Sequence, residues 1–306
     1  MGENAVSFHT VTKVYGKQPV VKDVSLAVKA GDIYGLIGKN GAGKTTIMKL
    51  ITGLAQPSDG HMSILGEDTE KGYQLARQRT GSLIENPYLY PSMDARQNLE
   101  YYRRQKGLKD KALVDEALRI VGLYDEKKKF GKFSLGMKQR LGIAQAILGN
   151  PELLILDEPI NGLDPTGIIE MREMLQKLNR EKGTTIVVSS HILNEMSMIA
   201  NRYAFIHEGK LVEEISRAAL EEKCRKHLRL KVNDTEKTAM LLEQHLAIRD
   251  YKVLPHHEIE IYDEKRNLNS ITKVLIEHDV VILSASEGAQ SLEGYFVQLI
   301  GGEHHA

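Results

Sequence analysis

Residues 38–46 read Gly38-Lys39-Asn40-Gly41-Ala42-Gly43-Lys44-Thr45-Thr46. An apolar run, Ile33-Tyr34-Gly35-Leu36-Ile37, precedes them, and Ile47-Met48-Lys49-Leu50-Ile51 follows with the character of a helix. A strand, a glycine-rich loop and a helix N-terminus in that order form an anion cradle. The glycines let backbone N–H groups crowd a phosphate, and the helix dipole adds partial positive charge. The G-x-x-x-x-G-K-T spacing directs Lys44 to the β/γ-phosphates and the Thr45 hydroxyl to Mg²⁺. A glycine-rich turn that binds nothing is the competing reading. The complete pattern in its strand-loop-helix setting selects a bound nucleoside triphosphate.

A second element lies further along, at Leu153-Leu154-Ile155-Leu156-Asp157-Glu158-Pro159. The continuous apolar run between Pro151 and Pro159 suits a strand covered on both faces. An acidic pair at the carboxyl end of such a strand sits where open α/β sheets bind ligands. Asp157 is expected in the Mg²⁺ shell, and Glu158 to polarise an attacking water.

Around these two elements the chain alternates strands and helices. Val6 and Phe8, then Val24, Leu26 and Val28, alternate with polar neighbours as antiparallel strands do, with a turn at Val14-Tyr15-Gly16-Lys17. Pro57-Ser58-Asp59-Gly60 is read as another turn before a short strand at Met62–Leu65, and the Leu83-Ile84 strand ends at Glu85, before Asn86-Pro87. Residues 95–150 read as helical, with Met137, Leu141, Ala144 and Leu148 on one face of a helix starting after Ser134. A helix after Asp164-Pro165, a strand at Thr185–Ser189 and a hairpin over 203–212 complete an α/β domain with a largely parallel sheet. Beyond residue 217 the pattern is βαββαβ: strands at Leu228–Val232, Tyr251–Leu254, His257–Tyr262 and Val280–Leu283, helices at Thr235–Leu246 and around Ile271–Leu275. A last helix carries Leu292, Tyr295, Phe296 and Leu299. That order predicts a split-βαβ, ferredoxin-like domain.

Composition limits the functional classes. Lys+Arg and Asp+Glu both number 41 in 306 residues, so bulk charge gives no argument for nucleic acid, and none is expected as a partner. Cys224 is the single cysteine, which rules out an internal disulfide and suits a reducing cytosol. No apolar run approaches the ~18 residues a transmembrane helix needs. Met1-Gly2-Glu3-Asn4 does not open a signal peptide. His256-His257 and the tail pair His304-His305 have no supporting metal-ligand framework and are read as surface histidines.

The third motif is Phe133-Ser134-Leu135-Gly136-Met137-Lys138-Gln139-Arg140. With the phosphate loop before it, and Asp157-Glu158, Asn161-Gly162-Leu163-Asp164 and Ser189-Ser190-His191 after it, the order resembles that of ATP-binding-cassette (ABC) ATPases over residues 5–215. The resemblance implies a P-loop NTPase core with antiparallel β and helical subdomains: a nucleotide-binding domain over 1–217, its helical part about 86–150, and a small α+β domain over 218–306. It implies that Tyr15 stacks on adenine and that residues Gly38 to Thr46 hold ATP. Ser134 and Gly136 would touch the γ-phosphate of ATP bound by a second copy. Asp164 would be the D-loop aspartate and His191 the switch histidine that reaches the γ-phosphate. Lys44, Glu158, His191 and Glu85 are then the candidate catalytic residues, and Thr45, Asp157 and Glu85 the candidate Mg²⁺ ligands.

Two motifs depart from the family pattern. Leu135 and Met137 stand where the usual signature has Gly and Gln, and Glu85 stands where the Q-loop has glutamine. A carboxylate there can ligate Mg²⁺, but when unpaired it adds negative charge near the γ-phosphate. The wording around Glu85, Ser134 and Asn161, and Ser291–Phe296, is similar to bacitracin-export and lantibiotic-immunity ATPase subunits. The implied protein is a Mg-dependent ATPase, cytoplasmic and peripheral on the inner face of the membrane. It would pair head to tail with a second copy and power export through a separate transmembrane permease. The loop Pro87–Met93 is expected to dock that permease. A soluble ABC ATPase acting on ribosomes or nucleic acid is the alternative, disfavoured by the single P-loop and balanced charge. A regulatory module without turnover is disfavoured by the presence of Asp157, Glu158 and His191.

Overall fold

The computed structural model describes residues 4–263, 268–288 and 292–301. Packing divides the chain into two compact units, with the boundary between Arg217 and Ala218.

In the first unit, β1 (Asn4–Tyr15) and β2 (Gln18–Lys29) form a hairpin. The alternation seen in the sequence has a physical outcome: Val6, Phe8, Val11, Val24, Leu26 and Val28 are all buried. Burial of one such side chain contributes about 1.5–3 kcal/mol. Next come β3 (Ile33–Ile37), α1 (Lys44–Ile51) and β4 (Asp59–Ile64), the last pairing antiparallel with β1. β1 runs on through Tyr15 and β4 starts at Asp59, so both predicted turns are tighter than expected.

The chain continues through α2 (Glu70–Gln78) and β5 (Thr80–Leu83) to three helices, α3 (Ala95–Gln105), α4 (Ala112–Ile120) and α5 (Leu135–Ile147). Asp94 and Gln97 form a capping box on α3, and Ser134 caps α5 by accepting from Met137 N. Then follow β6 (Leu153–Leu156), α6 (Pro165–Lys182), β7 (Thr185–Ser190), α7 (Leu193–Ile199), β8 (Arg202–His207) and β9 (Lys210–Ser216). The main sheet has the order β5-β6-β7-β3-β8-β9, parallel except for the β8–β9 hairpin. Every residue of β3, β6 and β7 is buried, as continuous apolar strands covered on both faces require. Ile37 pairs with Ser190 and with Phe205, and Leu156 with Val188, so β3, β6, β7 and β8 present their carboxyl ends along one edge. The phosphate-loop residues emerge there.

Between β5 and α3, Glu85 adopts a left-handed backbone (φ 63°), and the following loop is clamped by one side chain. Asn98, wholly buried, accepts from Tyr90 N at 2.8 Å and donates from Nδ2 to the carbonyls of Tyr90, Met93 and Asp94. The loop does not present all its apolar residues as the sequence suggested. Leu89 is only 8 % exposed, whereas Tyr88 is 82 % and Tyr90 41 % exposed. The clamp turns Leu89 into the core and the tyrosines outward.

In the second unit, α8 (Arg217–Lys223) leads into β10 (His227–Val232), α9 (Thr235–Gln244), β11 (Tyr251–Leu254), β12 (Glu258–Ile261), α10 (Leu268–Glu277), β13 (Ile282–Gly288) and α11 (Leu292–Gly301). The sheet order is β11-β12-β10-β13, antiparallel throughout, with Leu228, Leu230, Val232, Ile259 and Ile261 in a shared core with α9 and α10. The last strand was expected at Val280–Leu283 but runs over Ile282–Gly288. Its polar residues Ser284 and Ser286 carry no apolar alternation, and pairing with Lys231 and Arg229 decides the register instead. Helix α8 was not expected from the sequence: it is seven residues long and buries only Leu220, too little for a helical period to show. Buried Glu260 is held ionised: desolvation works against it, but the hydrogen bond from Tyr262 and the guanidinium of Arg229 lower its pKa. Tyr262 is in turn pushed up to about 12, by burial first and Glu260 second. His304, His305 and Ser291 lie outside the described residues.

Candidate active site

The phosphate loop leaves β3 with its backbone pressed against β8. A Cβ on Gly38 would stand 2.4 Å from the Ile206 carbonyl oxygen, so no larger residue fits. The loop is also braced by the β8–β9 turn: Gly209 N donates to Ala42 O at 3.0 Å, and Lys22 N to Gly209 O at 2.8 Å. Helix α1 has Gly43 at its N-cap and no side chain capping it, unlike α2, α3, α5 and α6. Its first amides therefore remain available to an anion.

Lys44 is buried, yet its ammonium is satisfied only by groups of this edge. It donates to Gly38 O at 2.7 Å and Lys39 O at 3.3 Å, and lies 3.3 Å from Glu158 Oε1. One residue on, Thr45 Oγ1 donates to Asp157 Oδ2 at 2.8 Å. Asp157 Oδ1 accepts from Ser189 Oγ at 2.6 Å, and the same hydroxyl accepts from Glu158 N at 2.8 Å. Glu158 has a left-handed backbone (φ 50°), and its Oε2 lies 2.7 Å from His191 Nδ1. A carboxylate accepts only, so the proton of that bond sits on Nδ1. Three neighbouring strand ends, β3, β6 and β7, thus deliver Lys44, Thr45, Asp157, Glu158 and His191 into one connected network. Beside it opens a cleft of about 360 Å³ lined by Asn40, Gly41, Ala42, Gly43, Lys44, Thr45 and Thr46 together with Val20, Glu158 and Asn161.

Other candidate residues stand apart from this cleft. Ser134 caps α5, with Gly136 in its first turn, and Asp164 caps α6 through Gly167 N at 3.0 Å. Gln139 Nε2 donates to Asn161 O at 3.2 Å, linking α5 to the loop before α6, and Arg140 pairs with Glu170. Tyr15 is exposed, with Lys13 Nζ 5.0 Å from its ring centre. Glu85 is not bonded to Asp157 or Thr45; its Oε1 accepts from Lys49 Nζ at 2.8 Å. That bond raises Lys49 above the ordinary lysine range against a smaller opposing effect of burial.

Sequence reasoning missed Ser189 and Lys49 as participants. Ser189 was legible only as part of a motif ending in His191. Lys49 carried a signal in its spacing, one helical turn after Thr45 on the same face of α1.

The residues fit a magnesium ion in one respect. Thr45 and Asp157 offer a hydroxyl and a carboxylate oxygen side by side, the hard donors Mg²⁺ prefers. Among the described residues no three His, Cys, Asp or Glu side chains converge as a metal cage, so phosphate and water oxygens would have to complete the shell.

Comparison with known proteins agrees with this geometry. The profile of the family described as "ABC transporter" matches residues 21–161. The chain is 46 % identical over 293 residues to the bacitracin transport ATP-binding protein BcrA of Bacillus licheniformis, covering 95 % of this chain and 96 % of that protein. It is 43 % identical to the lantibiotic transport ATP-binding protein SrtF of Streptococcus pyogenes, over 68 % of this chain and 90 % of that one. Among solved structures, an ATP-binding subunit of an ABC transporter superposes with a TM-score of 0.64 at 30 % identity, covering 72 % of this chain and 92 % of the other. A dimeric ATP-binding cassette in a post-hydrolysis state with ADP and phosphate superposes with a TM-score of 0.62 at 26 % identity, over 69 % and 98 %. With a P-loop α/β core, a cradle on its carboxyl edge and relatives aligned over nearly its whole length, the chain belongs to the ATP-binding, ATP-hydrolysing subunits of ABC transporters.

Proposed function

We propose that the chain powers export of a peptide antibiotic of the bacitracin or lantibiotic kind through a separate membrane permease. Two copies would work head to tail on the cytoplasmic face. The observation that carries the catalytic part is the network joining Lys44, Glu158 and His191 beside an uncapped helix N-terminus. The names of the relatives support the substrate class, one aligned over 95 % of the chain and the other over 68 %.

The triphosphate would lie on the amides of residues 39–46, with Lys44 turning from Glu158 to the β/γ-phosphates. Thr45 and Asp157 would hold magnesium, which when bound neutralises charge on the phosphate oxygens. Once Lys44 has left it, Glu158 is free to take the proton of an attacking water, and His191 orients that carboxylate while facing the γ-phosphate. Tyr15 offers an exposed ring for adenine, and Ser134 with Gly136 the end of α5 to the nucleotide of the second copy, whose D-loop aspartate is Asp164. Closure of the pair on ATP and reopening after hydrolysis would drive the permease. No helix among the described residues is long and apolar enough to cross a membrane, which fits a peripheral subunit.

The exposed pair Tyr88 and Tyr90 is the permease contact in this reading. Replacing both by Ser should reduce co-purification with the permease several-fold while leaving ATP affinity as it was, because neither side chain touches the cleft. In the intact complex, bacitracin or a lantibiotic should raise ATP turnover. Undiminished co-purification would remove the docking assignment, and turnover indifferent to such peptides would remove the substrate class.

A further inference from the structure

Lys49 belongs to no part of the mechanism just described, yet among the described residues it is the side chain that pairs with the Glu85 carboxylate. It sits on α1 one turn beyond Thr45, whose hydroxyl is bonded to Asp157, and it is close enough to Asp157 to feel its charge. Glu85 leaves β5 in a left-handed backbone, and β5 neighbours β6, which delivers Asp157. Asp157 N donates to Leu83 O at 2.9 Å, two residues before Glu85, so the Glu85 carboxylate adds negative charge on the same sheet edge as the proposed triphosphate cleft without lining it. A bound nucleotide brings several more negative charges, and each uncompensated carboxylate near it weakens binding.

We infer that Lys49 is a positioning residue that neutralises Glu85 and keeps its carboxylate from opposing the triphosphate. The inference rests on the reading that the cleft beside Lys44 binds ATP. The pair makes an acidic side chain tolerable at this edge, and the charge count of the site is set by two residues acting as one. Removal of Lys49 exposes the full charge of Glu85; removal of both restores neutrality. Metal shields part of the exposed charge, so the loss falls harder on metal-free ATP than on the magnesium complex.

The experiment is a double-substitution cycle read by nucleotide affinity, with a fluorescent ATP analogue titrated into the full chain in Mg²⁺ and again in EDTA. Lys49→Met should weaken binding about tenfold in EDTA and about threefold in Mg²⁺, the scale of one unpaired charge at a partly exposed site. Lys49→Arg should bind as the parent does. Glu85→Gln combined with Lys49→Met should return to within about twofold of the parent in both conditions. Equal losses with and without metal, or a double variant no better than Lys49→Met, would overturn the inference. A parent chain whose affinity is indifferent to Lys44→Ala would instead overturn the assignment of the ATP site itself.

Discussion

Glu158 reaches Lys44 with one carboxylate oxygen and His191 with the other. In the proposed mechanism a phosphate draws Lys44 away, which leaves the first oxygen unpaired beside the attacking water while His191 holds the other. Two substitutions separate binding from turnover. Glu158→Gln keeps the shape and removes the basicity. It should bind ATP, accumulate as a dimer on a sizing column, and hydrolyse on the order of 10²–10⁴ times more slowly. Lys44→Ala removes the buried cation and should lose affinity itself. Near-normal turnover in the first variant would take the base role from Glu158. At this scale the sequence was most legible where chemistry needs fixed spacing, as in residues 38–46 and Asp157-Glu158. Bonds between residues far apart in the chain were not legible. The partnership of Lys49 with Glu85, or of Ser189 with both Asp157 and Glu158, exists only because strands are placed side by side by packing.

Among the elements, the β8–β9 hairpin acts on the cradle without touching a ligand. Its Gly209 has φ 83°, donates to Ala42 O, and approaches Val20 so closely that a Cβ would stand 2.4 Å from a carbonyl oxygen. Gly209→Ala should therefore displace the loop and weaken ATP binding about tenfold or more, although the residue lies outside the cleft. Unchanged affinity would show that the brace is dispensable. Periodicity made most helices and strands legible, since α5 with its Ser134 cap and α6 with Asp164 follow directly from local signals. The failures have the opposite cause. β13 has no apolar alternation and owes its register to β10, and Leu89 is buried because Asn98 dictates the loop path.

For the whole molecule, each unit has its own core: Phe8, Ile47 and Met48 lie in one, Leu230, Ile259 and Leu275 in another. We expect a chain ended after Arg217 to fold and bind ATP with the parent's affinity, checked by thermal melting and nucleotide titration. Loss of binding there would make the second unit part of the ATP-binding machinery. The sequence pattern changes from α/β alternation to βαββαβ past residue 217, and packing divides the chain between Arg217 and Ala218. What the second unit does was not visible, because its residues pack rather than react.

The buried amide of Asn98 has a mechanical consequence. By gripping Tyr90, Met93 and Asp94 from within α3, it fastens the loop bearing Tyr88 and Tyr90 to a helix with no slack between them. A displacement of that helix should therefore carry the backbone of Tyr90 with it, and a load on that part of the loop should be felt in the helix.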